Sequence, residues 1–313
     1  MAPASLAQVD FEPFSKVGTP IPGWTIHGAA WTVKDLGGGD LRAESNGTGG
    51  HTYLVRTGSA ASIGVVEALL TGVSFTCNGG VVFRFDSKVT NGIRAYGASS
   101  GGQNAYKVLI LDAPGVSRAL VSLPTRPKNL ICRLLVQGTE ARAQFDIDPM
   151  DGKWDQEFTV NGVPLTGAEY GLYAWNGSYG DDVKFFDAAI FRRSAFGKPN
   201  LGQSVPLDLY APTPNAPYVL VPTFSKGMIG LPNGWFVPVT PDPLSAAAPL
   251  LPSIFAGFSG NLDGKGVANA KLNVPNVPAL AGLFLYVGGA VIDTRLNPPF
   301  LHLSNEERID LIP

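Results

Sequence analysis

Histidine, cysteine and charge are all scarce in this chain. Three histidines (His27, His51, His302) and two cysteines (Cys77, Cys132) serve 313 residues. No cysteine or histidine has a partner at metal-ligand spacing, so no zinc signature is present. Both cysteines fall in strand-like runs, VSFTC and NLICRLLV. They read as two buried thiols or as one bond stapling two strands, since spacing alone does not bring their Cα atoms within reach. Charged residues make up 15 % of the chain, against about 25 % in an average globular protein. With a formal net charge of −2 the chain lacks the basic surface that phosphate binding needs, which excludes nucleic acid as its main partner. No apolar run reaches the ~18 residues of a membrane-spanning helix. The first residues, MAPASLAQVDFEPF, have no positive start leading into an apolar stretch, so no secretory signal is expected there.

What the chain has in quantity is glycine (38), proline (26) and hydrophobic residues (45 %). That is enough apolar side chain for a core and too many breakers for long helices. Before Ser194, short apolar runs alternate with turn signals. Examples are GWTIHGAAWTV at 23–33, HTYLVR at 51–56, GVVFRF at 80–85, LICRLLV at 130–136 and VKFFDAAIF at 183–191. Many alternate with period two and are rich in Val, Ile, Phe and Tyr, and clusters such as Gly37-Gly38-Gly39, Asn46-Gly47 and Asn161-Gly162 separate them. A dozen strands at this spacing predict a two-sheet sandwich or jelly roll over residues 1–194.

Residues 195–204 read as a linker, and 205–313 as a smaller second β domain. LDLYAPTPNAPYVLVPTF is Pro-rich, suited to edge strands and polyproline segments rather than central strands. Ile254–Leu262, Gly266–Val274, Gly282–Ile292 and Leu301–Leu303 then read as four strands. Low charge and many prolines suggest a surface that packs on something, the first domain or another subunit. The fold class is therefore all-β, a jelly-roll sandwich followed by a smaller β-sandwich.

The order GWTIHGAAWTVKDLGGGDLRAE, TYLVRTG, GVVFRFD, then Gly171–Tyr173 followed by DDVKFFDAAIFRR, resembles laminin-G-like, concanavalin A-like lectin/glucanase domains. The likeness covers about residues 10–193. Separately, FSGNLDGKGVANAKLNVPNVPALAGLFLYVGGAVID is similar to a C-terminal β module of bacterial surface and secreted proteins, through Leu262-Asp263, Gly266, Pro275, Pro278, Leu280, Gly282 and Tyr286. Both resemblances imply display at a cell or particle surface.

Glucanases of the first fold use a strand motif Glu-x-Asp-x-x-Glu, whose alternate residues aim two carboxylates at one sugar. The chain contains no such motif. Its nearest pairs, Asp146/Asp148 and Asp155/Glu157, read more simply as solvated strand or turn carboxylates. Gly97-Ala98-Ser99-Ser100-Gly101 matches a Gly-x-Ser-x-Gly elbow as text. The run after it, GQNAYKVLILD, reads as loop and strand rather than the helix that an elbow needs.

No cofactor is required by this reading. Structural calcium is one reading of Asp146, Asp148, Asp151 and Glu157, with Asp181 and Asp182 as a second acidic spot; ordinary charged hairpins are the other. The binding candidate is aromatic: Trp175, Tyr173, Tyr179 and Tyr96 with Asn176, a flat face for C–H stacking beside amides and carboxylates. Edge packing of the sandwich is the competing account, and Trp24 and Trp31 read as core. The expectation is a non-enzymatic structural or decoration protein of a virion surface, homo-oligomeric, with a lectin-like domain for subunit or glycan contact. A secreted bacterial carbohydrate-binding or adhesion protein at the cell surface is the alternative, and a glycan-processing hydrolase a third.

Overall fold

The computed structural model describes residues 10–12, 23–35, 41–46, 50–57, 63–71, 78–88, 91–98, 108–116, 118–124, 127, 129–147, 154–175, 179–192, 200–230, 236–295 and 300–313. The chain divides into two compact units, Met1–Phe185 and Phe186–Pro313.

The first unit holds two antiparallel sheets. One runs from edge to edge through Gln156–Asn161, Glu140–Asp146, Asn129–Gln137, Ile63–Thr71, Tyr179–Phe186, Leu41–Ser45 and Trp31–Asp35, with Asp10–Glu12 as its eighth strand. The seven-stranded sheet runs through Ala119–Ser122, Val108–Asp112, Asn91–Ala98, Asn78–Asp86, Glu169–Trp175, His51–Thr57 and Thr25–His27. Strands adjacent in sequence repeatedly fall in opposite sheets, as His51–Thr57 and Ile63–Thr71 do. That crossing makes the unit a lectin-like jelly-roll sandwich rather than a meander.

Alternation along each strand decides what enters the core. Leu130, Cys132, Leu134 and Val136 of one strand meet Val66, Ala68, Leu70, Phe83, Ile93, Leu109 and Leu172 from others. Trp24 and Trp31 belong to this core, as their sequence positions predict. The Trp31 indole N–H donates to Thr52 Oγ1 at 2.9 Å, so burial costs it no hydrogen bond. Cys132 is a free, buried thiol, and burial pushes its pKa up; Cys77 lies outside the described residues. The other side of the eight-stranded sheet carries a buried polar cluster beside Val65 and Leu135. Arg133 stands opposite Glu67 and Gln144, and the Glu67 carboxylate accepts from Arg133 Nε and Lys184 Nζ, both at 2.8 Å.

The second unit is a smaller β-sandwich. One sheet is Ala189–Arg192, Ser204–Tyr210, Val267–Asn273 and Phe255–Ala256 in order; the other is Ser259–Asn261, Pro217–Thr223, Phe284–Asp293 and Phe300–Leu303, with Glu307–Asp310 also on Phe284–Asp293. Leu207, Leu209, Leu220, Leu272, Val287 and Ile309 build its core. The Pro-rich stretch differs from the sequence expectation: Ser204–Tyr210 and Pro217–Thr223 are interior strands. Pro206 stands opposite Lys271, just before Ala189–Arg192 begins to pair at Leu207. Pro222 stands opposite Val287, past the Ser259–Asn261 pairing that ends at Val219. Among the described residues, each missing N–H therefore falls where the strand pairs on one side, which is how proline enters a sheet without an orphaned carbonyl.

Candidate binding face

The other face of the seven-stranded sheet gathers aromatics among aliphatic, small and charged residues. Register places His27, Tyr53, Tyr173, Gly80, Tyr96, Ile110 and Leu120 in one row across all seven strands. Tyr53 and Tyr173 have ring centroids 5.5 Å apart, and Tyr173 meets Tyr96 edge to face at 5.0 Å. Gly80 separates these last two rings; a Cβ there would lie 2.0 Å from the Ala95 carbonyl and 2.4 Å from Tyr96 Cβ. The tyrosines form a floor: Tyr53, Tyr96 and Tyr173 are 0 %, 5 % and 2 % exposed, too little for any ring to be the contacting surface itself. Burial raises the pKa of all three hydroxyls, against the pull of the nearby Arg94 charge.

On this floor sits a charged layer. Arg94 lies over the Tyr173 and Tyr96 rings, at 5.3 and 5.9 Å from their centroids, a cation–π arrangement favourable for a guanidinium with little water around it. It pairs with the Asp112 carboxylate and donates to the Tyr53 hydroxyl at 3.5 Å. Arg118, half-exposed, approaches the same Asp112 oxygen at 3.6 Å. One carboxylate is thus shared by two guanidiniums.

His51 Nδ1 lies 3.0 Å from the Tyr173 hydroxyl and 3.4 Å from Arg94 Nη1. A guanidinium can only donate, so Nδ1 is the acceptor and the ring proton sits on Nε2. Burial, then the Arg94 charge, hold the His51 pKa below its ordinary 6.5, against the opposing Asp112 charge. The ring packs edge to face on Trp175 with centroids 4.7 Å apart. His51 is exposed and Trp175 half-buried, so this pair and Arg118 form the accessible rim.

Of the aromatic candidates, Tyr96 meets Tyr173 directly, and His51 links Tyr173 to Trp175. Tyr179 belongs to the other sheet, opposite Glu44; Asn176 lies outside the described residues. Among the carboxylates read as calcium ligands, Asp148 and Asp151 lie outside the described residues, as do the side chains of Asp181 and Asp182. Asp146 is buried, and Glu157 accepts from Gln144 at 2.8 Å with Arg142 at 3.6 Å. The strand carrying Asp181 and Asp182 is three strands from that of Asp146, about 14 Å. Among the described residues no three His, Cys, Asp or Glu side chains converge as a metal site. Asp155 closes a hairpin, its carboxylate accepting from the Ile147 N–H at 2.7 Å. Gly97 and Ala98 end a strand, and Ser99 to Gly101 lie outside the described residues.

A polar cluster of the second unit had no sequence signal. His302 Nδ1 lies 2.6 Å from Asp187 Oδ2, and Nε2 lies 2.9 Å from Thr213 Oγ1. The connectivity resembles carboxylate–imidazole–hydroxyl chemistry. However, the Thr213 hydroxyl also donates to Asp293 at 3.2 Å and accepts from Arg295 at 3.2 Å, and all but Arg295 are buried. With its lone pairs and proton committed and no surface for a substrate, Thr213 is a locked structural group.

No family model matches the chain, and no curated protein matches it in sequence. Among solved structures, carbohydrate-binding module CBM66 from Bacillus subtilis is 14 % identical at a TM-score of 0.38, covering 51 % of this chain and 93 % of its own. A Bacillus licheniformis β-glucanase is 12 % identical at 0.41, covering 57 % and 98 %. The exoplasmic/lumenal domain of VIP36, in a Ca2+/mannose-bound form, is 10 % identical at 0.40, covering 57 % and 89 %. The chain is similar to these in part of its length.

Proposed function

We propose that this chain is a non-enzymatic glycan-binding protein whose lectin-like unit holds sugar on the outward face of its seven-stranded sheet. The observation that carries the reading is the layered face itself: a tyrosine floor, a shared Arg94–Asp112–Arg118 cluster above it, and a Trp175–His51 rim. Sugars need a flat apolar surface for their C–H faces and directional donors and acceptors for their hydroxyls; the Trp175–His51 rim offers the first and the Arg94–Asp112–Arg118 cluster the second. Lack of a Glu-x-Asp-x-x-Glu strand motif in the sequence favours binding over turnover. A glycan array followed by titration of the best binder tests it. Trp175→Ala is expected to weaken binding at least tenfold, and intact affinity in that variant removes the rim from the site.

Display on a virion surface, in contact with other subunits, is a second reading favoured by one observation. The second unit leaves Phe224, Leu250, Val277 and Leu283 exposed, large apolar side chains of the kind that subunit interfaces cover. Light scattering on the purified chain tests this: a trimer or higher assembly supports it, and a monomer at all concentrations argues against it.

A further inference from the structure

At one end of the same face the sheet is deformed. The strand Asn78–Asp86 bulges between Phe83 and Asp86, and Arg84 adopts φ +50, a left-handed conformation strained for a residue that carries a side chain. The Arg84 guanidinium holds the bulge by donating to the Gly138 and Pro164 carbonyls at 2.6 and 2.7 Å. Gly167 closes against it, where a Cβ would lie 2.0 Å from the Arg84 carbonyl oxygen. The bulge lets Phe85 join the outward aromatic cluster, with ring centroids 4.3 Å from Tyr53 and 5.2 Å from His27. Bulges commonly re-aim side chains beside sites, and strain kept at such a place points to use.

Beside the bulge lies a cavity of ≈ 450 Å³ walled by Phe85, Asp86, Lys88, Leu165 and Glu169, within the ~300–1,000 Å³ of small-molecule sites. Glu169 Oε2 faces His27 Nε2 at 3.9 Å. Both atoms are buried, and among the described residues neither has a hydrogen-bond partner. Leaving such atoms unsatisfied is unfavourable, because each has given up its water. They are too far apart to bond each other, and one oxygen at ~2.8 Å from each would bridge them. A hydroxyl does so by donating to the carboxylate and accepting from the imidazole N–H.

We infer that this cavity is a subsite for one sugar ring of the bound glycan, with a ring hydroxyl bridging Glu169 and His27. The inference takes its ligand class from the glycan-binding reading, and its position from the bulge, the cavity and the orphaned pair. Phe85 and Leu165 supply the apolar wall, and Asp86 and Lys88 stand at the mouth for further hydroxyls.

The test uses the full chain. Titration of the best array glycan into wild type, Glu169→Gln and His27→Gln is paired with thermal melts, and methyl glycosides of glucose, galactose, mannose and N-acetylglucosamine are titrated while the His27 ring nitrogens are followed by NMR. Expected are an affinity loss of at least tenfold in Glu169→Gln with its melting midpoint unchanged or raised, and a shift of the His27 Nε2 resonance with one of the glycosides. If Trp175→Ala weakens binding but both cavity variants bind as wild type and His27 stays silent, an ordered water alone satisfies the pair. The subsite is then overturned while the glycan reading stands. Wild type binding no glycan overturns both.

Discussion

Tyr96 and Tyr173 meet edge to face with ring centroids 5.0 Å apart, although a whole strand runs between theirs. The contact exists because that strand offers only Gly80 at the crossing, leaving no side chain to part the rings. Gly80→Ala would place its Cβ 2.0 Å from the Ala95 carbonyl oxygen and 2.6 Å from Tyr96 Cα. Backbone atoms cannot swing away as a flexible side-chain end can, so the sheet itself must shift. A loss of about 3 kcal/mol, the upper end of overpacking costs, is expected in chemical denaturation, with weakened glycan binding. A variant as stable as wild type would mean that the two strands can part without penalty.

Much of this architecture was legible in the chain. Period-two apolar runs marked the sandwich strands, and Trp24 and Trp31 carried the pattern of core residues. The aromatic floor was half-legible: Tyr96 and Tyr173 could be singled out as aromatics near strand ends. Their meeting with Tyr53 depends on which strands become neighbours, and strands 40 and 120 residues apart in sequence give no local sign of pairing. Arg94, Asp112 and Arg118 stayed hidden for the same reason. The prolines misled because propensity rules treat a strand as uniformly paired, whereas among the described residues Pro206 and Pro222 pair on one side. The polar run from Ser304 to Arg308 drew no reading from the sequence, yet its residues are buried.

The face should respond to mild acid through His51. Its folded-state pKa is held below the ordinary 6.5 by burial and by Arg94, against Asp112. A base with a depressed folded pKa gives its full stabilisation above the unfolded value. The contribution is lost as pH falls, because the unfolded chain takes up the proton first. Stability of the first unit is therefore expected to decline on acidification from about pH 6.5, the unperturbed histidine value. Protonation would also end acceptance at Nδ1 from Tyr173. His51→Gln should flatten this portion of the profile, as urea midpoints between pH 7 and pH 5 would show. A variant with the wild-type slope would assign the effect elsewhere.

On the opposite sheet, Arg133 and Glu67 form an ion pair with side chains 0 % and 2 % exposed, and Trp154 lies over the guanidinium at 4.5 Å. Removing one partner strands the other charge, which costs about 3–5 kcal/mol in buried pairs. Glu67 also accepts from Lys184, so the two single substitutions differ. Arg133→Met leaves Glu67 still paired, and about 2 kcal/mol is expected. Glu67→Gln takes the shared carboxylate from both Arg133 and Lys184 and should cost more. The double variant Arg133→Met/Glu67→Gln should recover part of that loss. Denaturation of the four proteins checks the order, and equal costs for the two single variants would mean that Lys184 contributes nothing.

In the second unit, His302 is the link on which four polar groups depend. Asp187 lies on one side of its ring, Thr213 on the other, and Asp293 with Arg295 completes the network beyond. His302→Ala would leave the Asp187 carboxylate and the Thr213 hydroxyl buried with fewer partners, at about 1–3 kcal/mol each. Burial pushes the Asp187 pKa up despite the His302 bond, so in the variant it should take up a proton more readily still. Asp293 behaves oppositely: hydrogen bonds from Arg295 hold its pKa well below the ordinary 3.8. A depressed carboxylate gives full stability above the unfolded value and loses it as pH falls below, so the second unit should weaken on acidification from about pH 4. Hydrogen exchange at Ile190, whose N–H donates to Asn305 at 2.9 Å, reads this unit within the full chain. Faster exchange in His302→Ala at pH 7 is expected, together with a flatter acid response in Asp293→Asn. Unchanged exchange in both would show that the backbone ladder, and not this network, holds the strands together.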